Sequence, residues 1–257
     1  MTGSHHDGAE FIVAGGSHIY AMGAPVGYEG PVSLVPAEAG HRRGFFLVEE
    51  RKIVPGSFRP RPPLSSQYWD TLVAVARDRI VMLVYAGNQH HADFLFRPDP
   101  LFDFVDDRTE EPFPGAVVVP RRLVRAHFAP TMAGLDSAIA RLQGAGSREV
   151  RVLGTPPPQS DLARIAEHAD MEILFTPAPI LQRMWSVIQE LMEEAARRGG
   201  AAFVPVPPET IDSQGFLAKE FYEKEDRDIT HANRKYGQLI LESALREQPA
   251  LANGQSI

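Results

Sequence analysis

Five short apolar runs constrain this chain more than any other feature. They are Phe11–Gly15, 32–36, 80–85, 150–154 and 202–206. A strand that is apolar on both faces must be covered on both faces. Helical spacing fills the gaps between the runs. The stretch 65–78 leads into the third run. Met132, Leu135, Ile139 and Leu142 keep one face before the fourth, and Leu181, Met184, Ile188 and Leu191 do so before the fifth. A last helix is predicted over 232–246, with Tyr236, Leu239 and Ile240 turned inward. Such alternation predicts βαβ units and a parallel sheet. The stretch 92–120, rich in Pro, Asp and Phe, is predicted to be a long irregular loop.

A chain of 257 residues accommodates one α/β domain of this kind. No internal repeat or low-complexity linker divides it. The expectation is a single domain over 10–246, with a flexible tail at 1–9 and a frayed end at 247–257. The net charge of −7 argues against a nucleic-acid partner, which would need a basic footprint. There are no cysteines, which excludes disulfides, thiolate catalysis and Cys-based metal sites. The longest apolar runs reach about six to eight residues, far short of a membrane span. The first residues, MTGSHHDGAE, have neither the basic region nor the apolar region of a secretory signal. A cytoplasmic protein acting on a small molecule is expected, with no cofactor and no metal. His5 and His6 read as incidental. His90 and His91 lack a third ligand at convincing spacing.

The first apolar run ends in Gly15-Gly16, followed by Ser17. In a parallel α/β sheet, ligands sit at the carboxyl ends of the strands. A serine at the first strand-to-helix turn projects into that crevice. Its backbone N–H, at the start of a helical turn, can face a developing oxyanion. The same pattern also reads as an N-cap serine after a glycine turn. A phosphate loop is less consistent, because neither GxGxxG nor GKS/GKT is present.

Asp228 precedes His231 by three residues, just before the last predicted helix. That spacing can set a carboxylate against imidazole Nδ1, which fixes the tautomer and leaves Nε2 to accept a proton. The third run leads to Ala86-Gly87-Asn88. If the first and third strands are neighbours, Asn88 lies beside Ser17 and its amide can donate to an oxyanion. Each residue also has a plainer reading, as a helix cap or a turn residue.

Together these blocks resemble the SGNH (GDSL-like) hydrolase superfamily. Gly15-Gly16-Ser17-His18 resembles its first block, Ala86-Gly87-Asn88-Gln89 its GxND block, and Asp228-Ile229-Thr230-His231 its DxxH block. Ala232-Asn233 with Tyr236-Gly237 is similar to an HAN…YG extension seen in bacterial members, and 151–158 (RVLGTPPP) to a strand-end segment of the group. The resemblance implies a three-layer α/β/α sandwich with a five-stranded, parallel, flavodoxin-like sheet. It implies an esterase or acyl hydrolase working through an acyl-enzyme, with Ser17 as nucleophile, His231 as base and Asp228 orienting it. Oxyanion stabilisation falls to Asn88 and the Ser17 N–H, and a further loop glycine is either Gly40 or Gly44. Two blocks depart from the family pattern: Gly16 stands where the first has Asp, and Ala86 and Gln89 stand at the ends of the GxND block. The changed first block and the long aromatic loop motivate one alternative, an acyltransferase with a sugar or other alcohol acceptor; Gly16 and Gln89 motivate another, an inert binding protein of the same fold. His18, His90 and Phe94 are expected to line the substrate site. Phe96, Phe102, Phe104 and Phe113 either cover the site or anchor the long loop. Asp99, Asp103, Asp106 and Asp107 read as a solvated acidic face.

Overall fold

The computed structural model describes residues 11–15, 17–22, 35–36, 44–49, 52–55, 65–85, 87–105, 111–162, 174–223 and 230–246. Its centre is a parallel ladder of four strands: β1 (Phe11–Gly15), β5 (Ile80–Val84), β8 (Glu149–Leu153) and β9 (Ala202–Val204). The register pairs Phe11 with Ile80, Ile80 with Glu149 and Arg151 with Ala202, so the four strands run side by side in one direction.

Beyond β1 the pattern changes. β3 (Gly44–Glu49) pairs antiparallel to β1, and its other edge takes β2 (Val35–Pro36) and β4 (Lys52–Pro55), both antiparallel. The sheet order is β2-β3-β1-β5-β8-β9, with β4 attached to β3. The fifth parallel strand expected at 32–36 is corrected, because its described part, Val35–Pro36, pairs antiparallel. The short β2 sits at an edge, and β3 takes the place next to β1. β3 and β4 are joined by only two residues, a connection that permits an antiparallel pair and no parallel one.

Alternate strand residues feed two cores. Ile12, Ala14, Val81, Leu83, Val150 and Val152 face one side. There they meet α1 (Ser65–Ala76), α3 (Arg121–Phe128), α4 (Ala133–Gly144) and α5 (Ala178–Arg198). Phe11, Val13, Met82, Val84 and Leu153 face the other side, against α6 (Arg234–Arg246). Helices thus cover both faces of the sheet, as its apolar strands require. Leu135, Ile139, Leu142, Leu181, Met184, Ile188, Tyr236 and Ile240 are all essentially inaccessible, as the helical spacing predicts. Each large apolar side chain buried this way contributes about 1.5–3 kcal/mol. No helix among the described residues is long and apolar enough to cross a membrane.

The described parts of 92–120 are more ordered than their composition implies. They hold the end of α2 (Gln89–Phe94) and a separate parallel pair, β6 (Phe102–Val105) and β7 (Val117–Pro120). Asp103 is a correction to the solvated acidic face, because it is fully buried. Its carboxylate accepts from the Phe104 N–H (2.8 Å), the Phe113 N–H (2.7 Å) and Arg183 Nε (3.0 Å), with Arg183 Nη2 completing a fork. Phe104 sits in the first core, and Phe94, Phe102 and Phe113 pack against it. These aromatics fasten the β6–β7 unit to the body, whereas Phe96 stands exposed.

Candidate active site

At the carboxyl ends of β1 and β5 the neighbouring backbone leaves no room for a side chain. A Cβ on Gly15 would lie 1.9 Å from the Val84 carbonyl oxygen, so only glycine fits there. After it the chain makes a 3-10 turn, Ser17–Tyr20, closed by Ala21 N–H to His18 O (3.2 Å) and Met22 N–H to Ile19 O (3.0 Å). Ile19 and Met22 are buried in the second core and hold the turn down. Ser17 opens this turn at the sheet edge where the sequence pattern puts it. His18, the next residue, is buried.

His231 arrives from the other end of the chain. Its ring centroid is 4.9 Å from that of His18. Its Nδ1 lies 3.2 Å from Thr230 Oγ1, and its carbonyl accepts from Gln159 Nε2 at 3.4 Å. The residues after it explain why it stops there. Asn233 Oδ1 accepts from the N–H groups of Lys235 (3.0 Å) and Tyr236 (3.4 Å), capping α6. Asn233 Nδ2 donates to the Glu220 and Tyr222 carbonyls at 2.8 and 3.1 Å. The buried Tyr236 hydroxyl donates to Gly154 O at 3.2 Å, and burial raises its pKa above the ordinary phenol value. A Cβ on Gly237 would fall 1.7 Å from Ala21 O. The last helix is therefore docked directly on the turn that carries Ser17.

Asn88 follows β5 and precedes α2. Its Oδ1 is 2.7 Å from His91 Nδ1. An amide oxygen only accepts, so His91 carries its proton on Nδ1 and donates. The Gly87 N–H donates to Gln89 Oε1 at 2.8 Å, so the amide at position 89 supplies the acceptor that an acid would also supply. Gly87 has φ +108°, and a Cβ there would meet Thr155 Oγ1 at 2.1 Å. The Thr155 hydroxyl donates to Gly87 O (3.1 Å) and accepts from Gln189 Nε2 (3.0 Å), while Trp185 Nε1 donates to Thr155 O (2.9 Å). The loop after β8 thus sets the height of the loop after β5. Thr155 and Gln159 shape the site, and no spacing rule singles them out in the sequence. Their one signal is that Thr155 falls within the strand-end segment 151–158.

His90 is fully buried beside this edge, with its ring 4.1 Å from that of His91. Burial holds its pKa well below 6.5. Repulsion from His91 and then from His18 acts in the same direction, against a smaller opposing effect of the Gly87 backbone. His90 is therefore neutral at neutral pH. Among the described residues, no group of three or more His, Asp or Glu is placed to hold a metal ion.

Gly44 opens β3 and pairs with Gly15, which sets it within the sheet next to the Ser17 turn. Phe94 lies at the far end of α2 from Asn88, edge-on to Phe102 (5.4 Å) and Phe128 (5.8 Å). Asp228, Gly16, Ala86 and Gly40 lie outside the described residues, as do the tails 1–9 and 247–257.

No family model matches the sequence, and no curated protein matches it. Among solved structures, the chain is similar to LAE5, an alpha/beta hydrolase enzyme from the metagenome of Lake Arreo, Spain. The identity is 13% and the TM-score 0.32, over 71% of this chain and 64% of that one. The chain thus spans less than two thirds of that structure, and at that TM-score the likeness bears on neither its fold nor its chemistry.

Proposed function

We propose that the protein is a serine esterase of SGNH layout, with residues 10–246 as its one domain, that cleaves a small carboxylic ester through an acyl-enzyme. The observation that carries this reading is the convergence of three separate segments. The turn opened by Ser17, the Asn88 loop and the His231 segment meet at the carboxyl edge of β1 and β5, with the His18 and His231 rings 4.9 Å apart. The strand order β3-β1-β5-β8-β9 fits a doubly wound sheet whose second position has been filled by an antiparallel strand.

In this reading, the Ser17 hydroxyl oxygen attacks the ester carbonyl carbon and His231 Nε2 takes the hydroxyl proton. Thr230 stands at Nδ1, and Asp228 is assigned the charge that stabilises the imidazolium. Asn88 and the Ser17 N–H hold the oxyanion, with Gly44 as the neighbouring backbone. The tetrahedral intermediate collapses, the C–O bond to the alcohol breaks, and His231 returns the proton to the leaving oxygen. Water then attacks the acyl carbon, His231 takes its proton, and the acid departs as Ser17 is restored. His90, neutral and buried, adds no charge to the pocket.

The test is hydrolysis of a short-chain p-nitrophenyl ester by wild type, Ser17→Ala and His231→Ala. Both variants should lose at least about a thousandfold in kcat. Labelling of wild type, but not of Ser17→Ala, by a fluorophosphonate should accompany that loss. Undiminished turnover in either variant would remove the residue from the mechanism. An alcohol acceptor that accelerates turnover, where water alone gives little, would turn the reading to acyl transfer.

A further inference from the structure

Away from the Ser17 turn, α2, β6, β7 and α3 line an open apolar cavity of about 210 Å³. It is lined by Phe94, Phe102, Val119, Leu123, Val124 and His127. His127 is the one polar side chain in that set. Its Nε2 lies 3.0 Å from Asp93 Oδ2, and both groups reach solvent. Leu123 lines the cavity yet is 54% exposed, so the cavity opens to the surface there. A polar ligand would find a single hydrogen-bonding partner in it.

The helix that ends in the cavity begins at the candidate oxyanion residue. Asn88 stands at the N-cap position of α2, without a side-chain cap, and Phe94 is its last residue. Six residues of helix separate the two by about 9 Å along its axis. A medium-length acyl chain covers that distance. The Asp93 carboxylate at the mouth disfavours an anionic tail and leaves an uncharged one unaffected.

We propose that this cavity receives the aliphatic tail of the substrate's acyl group, selecting medium-chain over short-chain esters. The proposal rests on the esterase reading of Ser17 and names its substrate class. A single wider side chain at the mouth tests it. Leu123→Trp keeps an exposed position apolar while filling the opening, and Leu174→Trp, at another exposed leucine, is the control.

The measurements are calorimetric titration of the full chain with 1-octanol, and turnover of p-nitrophenyl octanoate against p-nitrophenyl acetate. Wild type should bind 1-octanol saturably. Leu123→Trp should weaken that binding about tenfold and raise KM for the octanoate by a similar factor, since each lost methylene contact costs several-fold in affinity. Acetate kinetics should not change, and Leu174→Trp should behave as wild type. If 1-octanol fails to bind, or binds wild type and Leu123→Trp equally, the cavity is not the tail site. Octanoate preference that survives a blocked cavity would exclude it as well. If wild type binds 1-octanol but hydrolyses neither ester, the esterase reading fails and the acyl tail fails with it as occupant. Hydrolysis of both esters with chain-length preference untouched would overturn this proposal alone.

Discussion

A carboxamide is a useful oxyanion donor only when its orientation is fixed beforehand, since reorganisation during the reaction forfeits the benefit. In the proposed mechanism that task falls, for Asn88, to His91, through Nδ1–H to Oδ1 at 2.7 Å. His91→Leu should lower kcat for a short ester about tenfold with KM nearly unchanged, part of the loss expected for deleting the donor itself. A matched fall in kcat and rise in KM would mean that His91 acts on binding instead. Gly87→Ala should cost about 1–3 kcal/mol of unfolding free energy in urea, because a positive φ combines with the Thr155 contact. A midpoint equal to wild type would show that the loop after β5 relaxes freely. The positions of Ser17, Asn88 and His231 are legible in the sequence because each follows or precedes a strong periodic element. Asp103 is not. One aspartate among several in a Pro-rich stretch looks solvated, and its burial depends on Arg183, eighty residues away.

At the level of elements, the four parallel strands and the helices on both faces follow from apolar runs and helical spacing, so they can be read directly. The strand beside β1 cannot, because 32–36 competes with 44–49 for the same place. The better signal is two β-type runs, GFFLVE and KIVP, separated by two residues, the spacing of a hairpin. The spacing predicts the last helix two residues early, because Ala232 and Asn233 lead into it and Asn233 caps it. Its docking concentrates on two adjacent residues. Tyr236→Phe leaves Gly154 O without its donor and should cost about 1–2 kcal/mol. Gly237→Ala forces α6 away from Ala21 and should cost about 1–3 kcal/mol while lowering esterase kcat, since the helix and the Ser17 turn share that contact. Denaturant midpoints with an unchanged slope would report both. Full activity in Gly237→Ala would separate the helix from the site.

Taken as one molecule, the protein gathers His18, His90, His91 and His231 from three distant stretches of sequence onto one edge of one sheet. No local pattern announces this, because the proximity arises only when β1 and β5 pair and α6 folds back. The arrangement makes stability depend on pH. His90 is neutral when folded, and its pKa lies well below the unfolded value of 6.5, chiefly through burial and then through His91 and His18. Above pH 6.5 both states leave it neutral and it contributes no slope. Below pH 6.5 the unfolded chain binds a proton that the folded chain refuses, so stability falls as pH falls, until the folded pKa is reached. The melting temperature of wild type should therefore drop between about pH 6.5 and 5 relative to His90→Leu, and the two curves should run parallel above about pH 7. Carboxylates and surface histidines contribute equally to both proteins, so the difference between the curves isolates this position. Parallel curves through the whole range would show that His90 titrates in the folded state as it does in the unfolded one, and that the histidine edge is open to water.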